Sequence, residues 1–122
     1  MSKVINVALI GCGRVAGHHA RSIKQIPDLA HLVSVCDLVD ERRNELGEEH
    51  KVSSFNNYFE MLDKHPEIDV VSIITPSGMH FEHASDIIDN YKKHVIIEKP
   101  MFMTLGQGKE LQQKAKTSGV EV

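Results

Sequence analysis

The chain has 122 residues, of which 41% are hydrophobic and 25% are charged, a balance typical of a globular domain with its own core. The net charge of −3 at pH 7 argues against nucleic acid or an anionic membrane as a partner. The sequence has no apolar run long enough to cross a bilayer, no recognisable signal peptide and only two cysteines, so we expect a cytoplasmic protein without a disulfide framework.

Strands and helices are predicted to alternate along the whole chain. Apolar, β-branched runs predict strands at residues 4–10, 31–36, 52–55, 69–74 and 94–98. The stretches between and after these runs predict helices at residues 14–26, 41–50, 58–64, 78–91 and 105–117. Four polar residues are expected to cap helix N-termini, namely Asp40, Asn57, Ser77 and Thr104. Gly119 is expected to stop the last helix, and residues 120–122 resemble the start of a sixth strand.

This alternation, with its short connections, predicts an α/β fold with a doubly wound parallel sheet of the Rossmann type. We expect one nucleotide-binding domain over residues 1–122, truncated at or before the sixth strand.

A glycine-rich turn joins the first predicted strand to the first predicted helix. Residues 11–16 read Gly-Cys-Gly-Arg-Val-Ala and fit the pattern G-x-G-x-x-A. Gly11 permits a tight turn, Gly13 lets the backbone approach a pyrophosphate, and Ala16 lets the helix pack closely on the strand. With the helix N-terminus, including Arg14 and Val15, the loop predicts a dinucleotide site. The alternative is an ordinary strand-to-helix turn whose glycines serve geometry alone.

Asp37 ends the second predicted strand, some twenty residues beyond the loop. A carboxylate at this place accepts hydrogen bonds from the adenosine ribose and repels a 2′-phosphate, which favours NAD over NADP. The alternative is a solvated aspartate. Arg42 and Arg43 leave the preference open, because an arginine nearby can accommodate a phosphate, although both could lie on the solvated face of their helix.

Two further strand ends carry polar residues. One is the segment 75–80, Thr-Pro-Ser-Gly-Met-His, and the other is Glu98-Lys99-Pro100. Because the carboxyl ends of parallel strands share one edge, both are expected beside the glycine-rich turn. A lysine just beyond a buried strand can hold or pass a proton if its surroundings tune its pKa.

Together these residues resemble the glucose–fructose oxidoreductase / inositol dehydrogenase / rhizopine-catabolism family (Gfo/Idh/MocA) over essentially the whole chain, and Glu98-Lys99-Pro100 is the most specific match. The resemblance implies hydride transfer between nicotinamide and a secondary alcohol of a sugar, nucleotide-sugar or cyclitol, with Lys99 as the catalytic residue. It implies that further residues line the nicotinamide end of the cofactor, namely Thr75, Pro76, Ser77 and Glu98. His80 either contacts the nicotinamide ribose or makes a structural hydrogen bond at its helix start.

The chain also shows a narrower similarity to the branch that oxidises UDP-N-acetylglucosaminuronate in surface-polysaccharide synthesis. This similarity rests on residues 11–16 together with His19 and on residues 75–78. The resemblance also implies a C-terminal substrate domain, absent from this chain, and a homo-oligomer built through it. We therefore expect the N-terminal part of a longer enzyme, inactive alone, and no metal site. The alternative is a non-catalytic dinucleotide-binding sensor or scaffold module, which would need the glycine-rich turn but not Lys99.

Overall fold

The computed structural model describes residues 4–75, 77–98 and 104–122. Within them, five parallel strands form one sheet: β1 Ile5–Ile10, β2 Ala30–Cys36, β3 Ser53–Phe55, β4 Val70–Ile73 and β5 His94–Ile97. Their spatial order is β3-β2-β1-β4-β5. The connections are helices: α1 Arg14–Lys24, α2 Asp40–His50, α3 Tyr58–Lys64, α4 His80–Tyr91 and α5 Leu105–Ser118. The strand order reverses between β1 and β4, and such a switch point is where open α/β sheets bind ligands.

Helices cover both faces of the sheet, which confirms the doubly wound architecture. Alternate residues of β1 point to opposite faces, as the two-residue period of a strand requires. Val7 and Leu9 pack in a core with α1 and α2, whereas Ala8 and Ile10 pack in a second core with α3, α4 and α5. The near-continuous apolar run of β1 is therefore explained by burial on both faces.

One irregularity in β2 sets the position of the site. Val7 pairs with Leu32, but Ala8 pairs with Ser34, so Val33 is an extra residue in the ladder. After this bulge, Cys36 aligns with the last residue of β1. The next residue along the chain therefore emerges beside the glycine-rich turn that follows β1.

Two of the four predicted N-terminal caps are confirmed. The Asn57 side chain accepts hydrogen bonds from the amides of Phe59 at 2.8 Å and Glu60 at 3.2 Å. The Thr104 hydroxyl accepts from the amide of Gln107 at 3.1 Å. The last helix ends, as predicted, at a glycine in the left-handed region.

The other two capping predictions are wrong. Val39 occupies the N-cap position of α2, and the Asp40 carboxylate, one residue further on, pairs with Arg43 across one turn. Ser77 opens a short 3₁₀ turn, Ser77–Met79, and α4 begins only after it, with Met79 at the N-cap position and no side-chain cap. The helix α2 thus begins one residue earlier than predicted, at Asp40 itself, whereas α4 begins two residues later than predicted, at His80.

The segment 120–122 is not a strand, contrary to the prediction. Its backbone does reach the sheet edge, because the Val95 amide donates to the Glu121 carbonyl at 3.0 Å. However, the Glu121 amide donates to Nδ1 of His94 at 2.9 Å instead of to a strand carbonyl, which interrupts a ladder. In the described part of the chain, no helix has the length and apolar character needed to span a membrane.

Candidate dinucleotide-binding site

Gly11 is required by the fold itself. Its φ of +98° lies in the region that favours glycine, and its amide donates to the Cys36 carbonyl at 2.7 Å. A β-carbon at this position would lie 2.7 Å from the carbonyl oxygen of Ile74, where β1 and β4 end side by side. The tight turn predicted for Gly11 is therefore confirmed, and its reason is the close approach of two strand ends.

Within the described residues, neither the backbone angles nor the packing requires a glycine at position 13. Its φ of −77° and ψ of −165° are accessible to any residue, and a β-carbon would meet nothing within 4 Å. The helix that follows has no side-chain cap and no acidic residue in its first turn, so its first amides are available to an anion. A glycine that leaves space over a helix N-terminus fits a bound pyrophosphate, while Ala16 behind it is fully buried against the sheet.

Asp37 holds the glycine-rich turn in place. Its Oδ2 accepts from the Cys12 amide at 2.7 Å, and its Oδ1 accepts from the Val39 amide at 2.8 Å. Each carboxylate oxygen can accept a second hydrogen bond, so the side chain can also bind ribose hydroxyls. The sequence predicts the ribose role for this half-buried residue but not the structural one.

A groove of about 550 Å³ runs along this edge of the sheet. We call the part lined by the turn and Asp37 its inner part, and the part lined by apolar and aromatic side chains its outer part: Leu38, Val39, Tyr58, Phe59 and Met79. Leu38 is 81% exposed, and together with the exposed Val39, Phe59 and Met79 it gives this part of the groove an apolar surface. The groove thus offers an anion-binding inner end and an outer end on which a planar base can pack.

The two arginines of α2 have different positions. The Arg43 guanidinium pairs with Asp40 and donates to the Asp37 carbonyl at 3.3 Å, so it braces the backbone. Arg42 lines the groove together with Asp37 and Gly13. Arg42 is therefore the nearer candidate for contact with a ligand phosphate.

Thr75, which follows β4, is held by two histidines of α4. Nε2 of His80 donates to the Thr75 carbonyl at 2.6 Å, and Nδ1 of His83 lies 2.9 Å from the Thr75 hydroxyl. His80 is 2% exposed, so the structural alternative predicted for it is present, while its contact with the nicotinamide ribose stays a prediction. His83 is not among the site residues predicted from the sequence, although its spacing of three from His80 places both rings on one helix face.

Burial keeps three titratable side chains at or next to the groove in their neutral form, namely His83, Cys12 and Cys36. Burial lowers the pKa of His83, outweighing the nearby Glu82 and Asp86 carboxylates. Burial and then the Asp37 charge raise the pKa of both cysteine thiols to about 12. Cys12 and Cys36 are buried neighbours, since Sγ of Cys12 donates to the Cys36 carbonyl at 3.4 Å. Protonated thiols of this kind are poor nucleophiles.

Glu98 lies at the neighbouring strand end, immediately after β5. Its amide donates to the Ile73 carbonyl at 3.1 Å, and its Oε2 lies 3.3 Å from Nε2 of His19 on α1. Nδ1 of His19 lies 3.4 Å from the Ser72 hydroxyl. One histidine thus connects α1, β4 and the end of β5, on the same edge as the groove.

The remaining predicted site residues are only partly described. Lys99 and Pro76 lie outside the described residues. For Arg14 and Ser77 the structure gives the backbone position, at the start of α1 and of the 3₁₀ turn respectively. Val15 is exposed in the first turn of α1, beside the loop. Among the described side chains, no cluster of three or more histidine, cysteine or acidic residues could hold a metal ion.

Comparison with known proteins agrees with this geometry. Residues 5–122 match the profile of an oxidoreductase family with an NAD-binding Rossmann fold, GFO_IDH_MocA. The scyllo-inositol 2-dehydrogenase (NAD⁺) of Bacillus subtilis is 29% identical over 121 residues, which are 98% of this chain and 35% of that protein. The NADP⁺-dependent scyllo-inositol 2-dehydrogenase IolW of the same organism is 30% identical over 93 residues, covering 76% of this chain and 26% of that protein.

Among solved structures, the WlbA dehydrogenase from Bordetella pertussis, in complex with NADH and UDP-GlcNAcA, superposes with a TM-score of 0.91 at 30% identity. The match covers 98% of this chain and 36% of that one. The chain thus spans about a third of the length of the relatives it matches. Since the family profile covers nearly every residue and the groove carries the features of a dinucleotide site, the chain belongs to the GFO_IDH_MocA oxidoreductase family and is an NAD-binding Rossmann domain.

Proposed function

We propose that this chain is the cofactor-binding part of an NAD-dependent dehydrogenase that oxidises a secondary alcohol of a sugar, nucleotide-sugar or cyclitol. The observation that carries the proposal is the fixed Asp37 carboxylate beside the open space over Gly13, with Glu98 at a neighbouring strand end of the same edge. The related inositol dehydrogenases and the WlbA dehydrogenase support the substrate class.

The residues of the chain have distinct roles in this proposal. The amides at the start of α1 bind the pyrophosphate, Asp37 binds the adenosine ribose, and Glu98 lies toward the nicotinamide. When bound, the nicotinamide supplies the acceptor for the hydride. Lys99 hydrogen bonds the substrate hydroxyl and takes part in removing its proton. His19 holds the carboxylate of Glu98, next to Lys99 in sequence, and so steadies the chain that leads to it.

Within the substrate class, we favour UDP-N-acetylglucosaminuronate, in the synthesis of a surface polysaccharide. The support is the similarity of residues 11–16, His19 and residues 75–78 to that branch, together with the fold similarity to a dehydrogenase crystallised with UDP-GlcNAcA. We further propose that a second domain shapes the substrate pocket and joins subunits into a homo-oligomer, and that the enzyme works in the cytoplasm, where Cys12 and Cys36 stay reduced.

A turnover screen of the complete protein tests this function. NADH formation at 340 nm would be followed with UDP-sugars, free sugars and inositols, each offered with NAD⁺ and with NADP⁺. We expect turnover with at least one of these alcohols and the highest rate with UDP-N-acetylglucosaminuronate and NAD⁺. NADH binding without turnover of any substrate would favour the sensor or scaffold alternative instead.

The cofactor preference can be tested at Asp37. Asp37→Ala removes the ribose acceptor and the charge that repels a 2′-phosphate, but it also releases the Cys12 and Val39 amides. Loosening of the turn weakens NADH and NADPH binding alike, whereas the ribose effect weakens only NADH. We expect NADH affinity to fall about 10- to 100-fold, from the loss of charged hydrogen bonds of about 1.5–3 kcal/mol, and NADPH affinity to fall far less.

Asp37→Asn is the matched variant, because it keeps the shape and removes the charge. The side-chain NH₂ group of asparagine is a donor, so it cannot accept from a backbone amide as the oxygen it replaces does. One of the two hydrogen bonds that hold the turn is therefore lost, and the turn should loosen partly. Calorimetric titration of both variants with both cofactors gives the ratio of affinities, in which the common loosening cancels. An unchanged ratio in both variants would contradict the ribose role of Asp37.

A further inference from the structure

His83 is a buried polar side chain with one unused ring nitrogen at the outer end of the groove. It is 8% exposed and lines the groove with Tyr58 and Met79. Nδ1 lies 2.9 Å from the Thr75 hydroxyl, and the ring stands edge-on to Tyr58 with 5.3 Å between centroids. Among the described residues, Nε2 has no hydrogen-bond partner. Nε2 is not among the fully buried atoms without a partner, so it is open to the groove that His83 lines and can bond a ligand there.

The position of this nitrogen indicates which part of a ligand it meets. With the pyrophosphate over the start of α1 and a ribose at Asp37, the next group of a dinucleotide is its adenine base. The outer groove offers apolar side chains, among them Leu38 and Met79, on which a purine ring can pack. The edge of that ring then needs polar partners, which apolar side chains cannot supply.

We propose that His83 selects adenine by accepting a hydrogen bond from the 6-amino group of the base at Nε2. This rests on the proposed function, since it assigns a recognition residue within the same cofactor site. With its proton on Nδ1, the ring donates to the Thr75 hydroxyl and leaves Nε2 as an acceptor. Tyr58 keeps the ring from turning, because its own hydroxyl donates to the Asp86 carboxylate from the neighbouring α4.

The neutral state of the ring supports this arrangement. Burial lowers the pKa of His83 even though Glu82 and Asp86 are near, and His80 lowers it further. A neutral imidazole has one donor and one acceptor nitrogen, whereas a protonated ring would be unable to accept.

The test compares two bases in the presence and absence of the side chain. The probes are NADH and reduced nicotinamide hypoxanthine dinucleotide, in which a carbonyl oxygen replaces the 6-amino group. Their affinities are measured by the fluorescence of the reduced nicotinamide, excited in its long-wavelength absorption band, where protein side chains do not absorb. The wild-type protein should bind NADH about 5- to 10-fold more tightly than the analogue, as one hydrogen bond of about 1 kcal/mol implies.

His83→Leu should reduce this ratio to near one, and His83→Gln, whose amide oxygen can reach the place of Nε2, should restore part of it. The matched control is His18→Leu, on the exposed surface of α1, which should keep the wild-type ratio. Equal affinities of the wild-type protein for both probes, or an undiminished ratio in His83→Leu, would overturn the proposal and leave the dinucleotide site standing. Failure to bind NADH at all would instead remove the proposed function, and the role of His83 with it.

Discussion

Gly11→Ala is expected to lower the free energy of unfolding by about 2–5 kcal/mol. An L-residue at a left-handed φ costs about 1–2 kcal/mol, and overpacking costs about 1–3 kcal/mol more. The overlap here is with backbone, since the new β-carbon would lie 2.7 Å from the Ile74 carbonyl oxygen, so neither strand end can yield easily. Urea unfolding followed by far-UV circular dichroism measures the change.

Gly13→Ala is the matched control for this prediction. Its backbone angles are ordinary and its β-carbon would project into open space, so stability should change little. The same β-carbon would occupy the place proposed for the pyrophosphate, and NADH binding should therefore be strongly weakened. Comparable stability losses in the two variants, or full NADH binding by Gly13→Ala, would show that the two glycines do not divide their roles in this way.

Lys99→Met is expected to lower the turnover number of the complete enzyme by about 10²- to 10⁴-fold, the range typical for loss of a group that moves a proton. Methionine keeps much of the length of the lysine side chain but has no proton to exchange. NADH affinity should be nearly unchanged, because the pyrophosphate and ribose contacts assigned to the loop and Asp37 remain. The measurement pairs steady-state kinetics, on the best substrate of the screen, with an NADH titration.

Lys109→Met provides the control, because Lys109 is an exposed lysine on α5, remote from Glu98 in sequence. It should keep both turnover and NADH affinity. If Lys99→Met retained turnover within a few fold of wild type, the proton-transfer role would have to belong to another group. Loss of NADH binding in that variant would assign Lys99 to the cofactor site instead.

The order of strands and helices could be predicted because the three inner strands, β1, β2 and β4, are largely apolar runs buried by helices on both faces. The first residues of two helices, α2 and α4, were predicted incorrectly. Asn57 and Thr104 cap as predicted, but Asp40 pairs with Arg43, and Ser77 is followed by a 3₁₀ turn that delays α4. A polar residue before a helix has several competing partners, and the local sequence does not rank them.

The site could be predicted where function depends on spacing along the chain. The glycine pattern and the distance from it to Asp37 located the inner groove. The bond from the Cys12 amide to Asp37 could not be predicted, since it joins residues 25 apart and depends on the bulge at Val33. His83 was missed for a related reason, because its role depends on Thr75 and on the opposite wall of the groove.

The Asp37 carboxylate also has a kinetic consequence. Its hydrogen bonds to the Cys12 and Val39 amides lie within the chain itself, so the recognition surface is preorganised and binding need not order the turn first. Cofactor association should then be a single bimolecular step, with an observed rate that rises linearly with cofactor concentration and shows no plateau. In Asp37→Ala the turn must close around the ligand, and a conformational step would limit the rate at high concentration.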